Sequence, residues 1–339
     1  MIADDQKLGN RPPLQIGSIP LPGRAFLAPM SGITDVGMRR IAARFGAGLV
    51  ISEMVASDSY VKGEAEASLR AEGAGIDVHV VQLAGRDPRW MAEAARLAEA
   101  NGAAVIDINM GCPAKRVTGG YAGSALMRDL DLALALIEAT VAAVKIPVTL
   151  KTRLGWNDES LNAPELAKRA EEAGVQLITI HGRTRCQFYK GSADWRAIRR
   201  IRQVVSVPLV ANGDCGSAED AREMLRQSGA DAVMIGRAAV GRPWLVGEVA
   251  RALDDAPLTG ASASVMREAA LEHYESLLEQ FGPRAGVRHA RKHLAAYADH
   301  CGWDAARGER LELLTTEEAH RASRLLSAMF DEFECRQAA

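Results

Sequence analysis

No apolar run in this 339-residue chain approaches the ~18 residues that would suggest a membrane span. The opening segment, MIADDQKLGNRPP, has no apolar core and does not read as a secretory signal. Cysteine is scarce and unpatterned. There are five, an odd number without a CxxC pair, which argues against a disulfide framework or a zinc site and for a reduced cytoplasm. An excess of one charge is missing too: 41 Lys and Arg stand against 43 Asp and Glu, so any nucleic-acid contact must come from a local patch. No GxGxxG follows the first apolar run, which removes the usual mark of a dinucleotide-binding open sheet. What remains is an ordinary globular composition, 48% hydrophobic and 25% charged, in a chain long enough for one large domain and a smaller one.

For roughly 240 residues short apolar runs alternate with amphipathic segments. The runs are AFLAPM, LVISEM, VHVVQLAG, AVIDINM, PVTLKTR, QLITIHGR, PLVANGD and AVMIGR, most of them ending in a polar or glycine-rich tail as buried parallel strands do. The segments between carry helix signals. Met38, Ile41, Ala42 and Phe45 follow Thr34 at helical spacing, Asp87-Pro88 opens a further helix, and Ser217 with Asp220 resembles a capping box. Gly46, Gly102, Gly174 and Gly229 each stand just ahead of a strand, as helix C-caps. About eight strands alternating with helices predict an α/β fold, a (β/α)8 barrel rather than an open sheet. LQIGSIPLPGR, with its Pro-Gly turn, reads as a β-hairpin capping the barrel's bottom. The predicted division is residues 1–24 for the N-terminal segment and hairpin, 25–250 for the barrel, and 251–339 for a helical domain entered through the linker ALDDAPLTGASAS.

In a barrel the C-terminal ends of the strands build the active site. Those ends supply Ala28-Pro29-Met30, Gln82, Asn109 and Cys112, Lys151 and Arg153, His181 and Arg183, Asn212-Gly213-Asp214, and Gly236-Arg237. Amide, thiol, cations and imidazole are present and a carboxylate pair is not, which sets glycosidase chemistry aside. The tails NGDCGS and GRAAVGRP lie where barrels commonly bind phosphate. A phosphate-bearing cofactor beside Lys151 and His181 suggests a flavin, whose reduced ring a cation stabilises, with Gln82 offering donor and acceptor to a ring edge. By pattern alone Cys112 is more readily an inert core thiol than a reagent, Lys151 and His181 can be structural, and the five tryptophans read as packing residues.

APMSGITD, VQLAG, DINMGCPAKRVTGGYAGSALM, VTLKTRLGW, ITIHGRT and VANGDCGS together resemble the tRNA-dihydrouridine synthases, and among them the bacterial B-type group. The likeness runs through nearly the whole chain, including RHARKHLAAY; N-x-x-C-P-x-x-K is its most specific part. It implies an FMN enzyme, cytoplasmic and without metal, reduced by NADPH (or NADH), that reduces the uracil C5=C6 bond in tRNA. Flavin hydride goes to C6, and Cys112 protonates C5. A thiol is largely protonated at neutral pH, and Pro113 restricts where its neighbour points. The implied FMN residues are Ala28, Pro29, Met30, Gln82, Lys151, His181, Asn212, Gly213, Asp214, Gly236 and Arg237; Asn109, Lys115 and Arg153 belong to the substrate. No obligate protein partner is evident. A small-molecule flavin barrel of the dihydroorotate dehydrogenase kind and a non-catalytic RNA-binding barrel are the alternatives, and the helical domain favours an RNA substrate over the first. In that domain Arg284, Arg288, Arg291 and Lys292 share one arc of a helix and Val287, Ala290, Leu294 and Tyr297 another. The basic arc is expected to face the barrel mouth and meet tRNA phosphates.

Overall fold

The structure, a computed structural model, describes residues 12–256 and 260–338. Eleven strands are formed: β1 (Gln15–Ile16), β2 (Ile19–Pro20), β3 (Ala25–Leu27), β4 (Leu49–Val50), β5 (Val55–Ala56), β6 (Val80–Ala84), β7 (Val105–Met110), β8 (Val148–Arg153), β9 (Ile178–His181), β10 (Leu209–Asn212) and β11 (Ala232–Ile235). Nine of them make one parallel sheet in the order β4-β3-β11-β10-β9-β8-β7-β6-β5. Ile51, next after β4, bridges Val80 at the start of β6 and closes the ring. The sequence run LVISEM therefore supplies one stave in two pieces, β4 and β5, separated by a kink at Ser52–Met54. The architecture is the expected (β/α)8 barrel.

Strand parity decides what faces where. Phe26, Leu49, Val80, Val105, Val210, Ala232 and Met234 form the lower barrel interior, while Leu27, Val50, Leu83, Ile108, Leu150, Ile180 and Ile235 meet the surrounding helices. Leu14, Ile16 and Leu21 of the hairpin complete that interior core from beneath. The hairpin's turn falls at residues 17–18 between β1 and β2, not at Pro22-Gly23, because Ile16 pairs with Ile19. The helix signals hold: Asp87 caps Pro88–Ala100, Ser217 Oγ accepts from Asp220 N at 3.0 Å, and the four strand-preceding glycines all take positive φ. Asp220, one methylene shorter than glutamate, reaches Gly216 N rather than Ser217 N.

The linker is shorter than the sequence suggested. The helix Leu245–Leu253 runs into it and the helix Ala263–Phe281 begins inside it; residues 257–259 of that stretch, like residues 1–11 of the N-terminal segment, lie outside the described residues. Helices Ala263–Phe281, Pro283–His300, Gly308–Thr315 and Ala319–Ala338 follow, with a core of their own around Tyr274, Leu294, Tyr297, Trp303, Leu326 and Phe330. Trp244 joins that core from the barrel side, and its ring lies 6.3 Å from that of Tyr297. A buried polar contact adds to the junction. Asp35 caps the barrel helix Val36–Arg44 through Oδ1, while its Oδ2 lies 3.2 Å from Nε2 of His273 and 3.4 Å from Nε2 of His293.

Candidate active site

At the C-terminal end of the strands lies a cavity of about 870 Å3, within the roughly 300–1,000 Å3 of small-molecule and cofactor sites. Its lining includes Ala28, Pro29, Met30, Gln82, Asn109, Cys112, Lys151, Arg153, His181, Asn212, Gly213, Asp214, Gly236 and Arg237, all of which the sequence had pointed to. Inward parity puts them there: Gln82, Asn109, Lys151, Arg153, His181 and Asn212 continue the inward-facing rows of their strands.

Cys112 is half-buried, and its backbone is held from both sides. Its N–H donates to Asn109 Oδ1 at 3.0 Å, and its carbonyl accepts from Ser124 N at 3.1 Å and Ser124 Oγ at 2.8 Å. The glycine-rich loop thus folds back onto the thiol's own peptide. Cys215 and Cys301 are buried, and burial pushes both thiols up to about 12, so they are inert at neutral pH. Cys186 and Cys335 are exposed.

Lys151 is 9% exposed; its Nζ donates to Asn212 Oδ1 at 3.1 Å. Burial and the nearby Arg153 push the ammonium down to about 8, with Asp107 opposing. His181 is held well below the ordinary histidine value by burial and then by Arg153, Lys151, Arg183 and Arg237, so it is neutral and offers hydrogen bonds rather than charge.

The loops after β10 and β11 form the cradle. Gly213 has φ +121°, and a Cβ there would stand 2.7 Å from Ala193 Cβ and 3.1 Å from the His181 ring, so only glycine fits. Trp195 Nε1 holds the Gly213 carbonyl at 2.8 Å. Asp214 takes two hydrogen bonds from Arg183 (2.9 and 2.5 Å) and one from Arg237 at 2.9 Å. Partial burial pushes its carboxyl up, but the bonds from Arg183 and the Ala193 N–H, with both guanidinium charges, hold it below the usual carboxylate range. Asp214 therefore anchors Arg237 rather than facing a phosphate itself. Arg237 opens a 3-10 turn at the cavity wall, and an anion there would meet a guanidinium and a turn N-terminus together.

Some residues do not stand as expected. Arg153 is 1% exposed and spends its donors on backbone carbonyls, of Gly111 at 2.8 Å, Thr184 at 3.0 Å and Phe188 at 2.9 Å. It ties the Cys112 turn to the loop after β9 as well as lining the cavity. Lys115 is exposed and lies outside the lining, where its neighbour Arg116 stands instead. Val287, Ala290, Leu294 and Tyr297 are buried as expected, but the basic arc divides. Arg288 pairs with Glu317 at 2.7 Å and Arg291 donates to the Thr315 carbonyl at 3.1 Å, both on the helical side. Lys292 reaches the barrel mouth: a Cβ on Gly32 would be 3.4 Å from its Nζ, and Gly32 N donates to the buried Glu53. Phe188 and Tyr189, more than 40% exposed at the cavity rim, had no periodicity to reveal them. Of the tryptophans, Trp244 and Trp303 are buried, while Trp156 lies between Arg128 and Arg185.

The fold and the cavity define a (β/α)8 barrel with a held thiol, a buried ammonium and an anion cradle in one pocket. The chain belongs to the dihydrouridine synthase (Dus) family, whose model matches residues 26–334. A probable tRNA-dihydrouridine synthase of Rhizobium leguminosarum bv. phaseoli is 56% identical over 307 residues, covering 90% of this chain and 95% of its own. One from Rhodobacter capsulatus is 50% identical over 325 residues, 95% and 99% of the two chains. The tRNA-dihydrouridine synthase B of Xanthomonas axonopodis pv. citri is 47% identical over 290 residues, 85% and 87%. Among solved structures, histamine dehydrogenase from Rhizobium sp. 4-9 superposes with TM-score 0.55 at 16% identity, over 80% of this chain and 51% of that one, a likeness of fold alone. Among the described residues no helix is long and apolar enough to cross a membrane.

Proposed function

We propose that this protein reduces the C5=C6 bond of uridines in tRNA to 5,6-dihydrouridine, using FMN that is reduced by NADPH. The observation that carries this reading is the placement of the half-buried Cys112 in the same cavity as the buried Lys151 and the Gly213–Arg237 cradle. The cavity suits FMN. Arg237 and the turn it opens would take the phosphate, with Asn212 and Gly213 beside the ribityl chain; Ala28, Pro29 and Met30 would form the wall, and Gln82, Lys151 and the neutral His181 would meet the ring. When bound, the flavin would supply hydride to uracil C6.

The chain's own residues supply the rest. Cys112 protonates C5 from a backbone position set by Asn109 and Ser124, so the thiol is placed before the base arrives. Lys151 places one positive charge against the ring, where reduction builds negative charge. Arg153 is mostly spent on backbone, and its part is to hold the two loops that frame the base; Asn109 stands beside the thiol. We assign residues 25–250 to FMN and catalysis and 251–339, with Arg284, Arg288, Arg291 and Lys292, to tRNA, in the cytoplasm. The test is direct: purified protein should show flavin absorption and release FMN on denaturation, and with NADPH it should form dihydrouridine in tRNA. Protein that takes up no FMN, or that reduces a free pyrimidine and leaves tRNA untouched, would reject the reading.

A further inference from the structure

The hydrogen bonds beneath the cavity run in one direction only. The backbone N–H groups of Gly111 and Cys112 both donate to Asn109 Oδ1, at 3.2 and 3.0 Å. A backbone N–H cannot accept, so Asn109 must turn its Nδ2 the other way, where it donates to Gln82 Oε1 at 2.9 Å. That leaves Gln82 Nε2 facing the barrel interior and in need of an acceptor. It finds Asp107 Oδ2 at 2.7 Å, and Asp107 Oδ1 accepts the Thr149 hydroxyl at 2.6 Å. Asp107 is 1% exposed and is not part of the cavity lining. Burial pushes its carboxyl up, while the bonds from Thr149 and Gln82 and the charge of Lys151 oppose. The direction of the chain does not depend on the outcome. If Asp107 is protonated on Oδ1, its O–H donates a hydrogen bond to the Thr149 oxygen, and Oδ2 still accepts from Gln82.

We propose that Asp107 is a positioning residue for the reaction: as terminal acceptor it sets the amides of Gln82 and Asn109 and so fixes the turn that presents Cys112 to the cavity. The proposal rests on the reading of Cys112 as proton donor. Each amide keeps a second N–H with no partner among the described residues, and both side chains line the cavity. The same orientation therefore decides where a ligand edge meets donors. A relay of this kind is sensitive at its buried end, because removing the last acceptor frees Gln82 to turn, and Asn109 Nδ2 then loses its fixed partner and the Cys112 turn its bracing.

Asp107→Leu removes the acceptor. Asp107→Asn keeps it, since its oxygen can face Gln82 while its amide donates to Thr149. The readouts are the alkylation of Cys112 by iodoacetamide, measured against the exposed Cys335 in the same sample, and kcat and KM for dihydrouridine formation. Alkylation is followed in both the FMN-free protein and the holoenzyme. In Asp107→Leu the Cys112-to-Cys335 ratio should change about threefold or more and kcat should fall about 10²-fold with little change in KM, the scale of a displaced reacting group. Asp107→Asn should restore both to within about twofold. A folded Asp107→Leu protein with wild-type ratio and kcat, or an Asp107→Asn protein that behaves like the leucine variant, would overturn the proposal. Should Asp107→Leu fail to fold, Gln82→Leu breaks the same chain at the cavity surface, and an unchanged alkylation ratio there overturns it equally. If instead Cys112→Ala proves fully active, the reading of the thiol is lost while the alkylation ratio still decides the relay.

Discussion

Lys151 Nζ lies 3.1 Å from Asn212 Oδ1, and Asn212 Nδ2 is held in turn by the Met234 carbonyl at 2.8 Å, so an ammonium carried by β8 is placed from β10 and β11. Burial and Arg153 bring its titration down to about 8 in the ligand-free protein. The charge is present below that value and is lost as pH rises through it. FMN binding to the apoprotein should therefore weaken as pH rises through about 8, and Lys151→Arg should move that alkaline limb upward. Flavin fluorescence titrations across pH measure this; an affinity flat in pH would remove Lys151 from the ring site.

Cys112→Ala should bind FMN and accept electrons from NADPH as the parent does, since the thiol enters only when the base is protonated. Dihydrouridine formation should fall by ~10²–10⁴-fold, the usual cost of losing a positioned general acid. Stopped-flow measurement of the two half-reactions separates the effects. Equal loss in both would assign the thiol to the flavin site.

The divided basic arc makes the RNA contact testable in two directions. Arg288→Glu with Arg291→Glu should weaken tRNA binding and lower its salt slope by about one for each phosphate no longer neutralised. Glu317 holds Arg288 at 2.7 Å, so Glu317→Gln frees a cation and should leave binding equal or tighter. Filter binding over a salt series reads both. Unchanged affinity and slope in the double reversal would mean that this face is merely solvated.

Asp35, His273 and His293 give the junction an acid dependence. Burial pushes Asp35 up, but the charges and hydrogen bonds of His273 and His293 outweigh it and hold the carboxyl well below 3.8. Burial, then His273, pushes His293 from 6.5 to about 4. Both groups titrate lower in the folded chain than in the unfolded one, so the folded state binds fewer protons and stability falls with pH. For His293 the window opens below 6.5 and closes near 4; for Asp35 it begins below 3.8. The lowering at His293 corresponds to on the order of 3 kcal/mol. Calorimetric melting should decline across the upper window, and His293→Leu should flatten that decline.

Much of this was legible before the structure because strands have a period of two. Once VIDINM and VTLKTR were read as strands, Asn109, Lys151 and Arg153 had to share the inward face. What a cation does at a strand end is a different matter. Arg153 reads the same in sequence whether it meets a ligand or three carbonyls, and only the approach of the Thr184–Phe188 loop decides. The helical wheel of Pro283–His300 separated buried from exposed positions correctly, yet a wheel carries no record of which neighbour each exposed side chain meets. Glu317, Thr315 and Gly32 belong to other segments. Asp35 and His273 are 238 residues apart, beyond any local pattern.

The hairpin has a kinetic consequence. Leu14, Ile16 and Leu21 pack into the barrel from below, and the cavity lies at the opposite, strand-end side. On the function proposed above, a nicotinamide donor and a folded RNA would both have to approach the ring from that end of the barrel. Each would have to leave that end before the other enters, and turnover would be a shuttle in two separate visits. Initial rates measured against both reactants should give parallel double-reciprocal lines, the signature of substitution rather than of a ternary encounter.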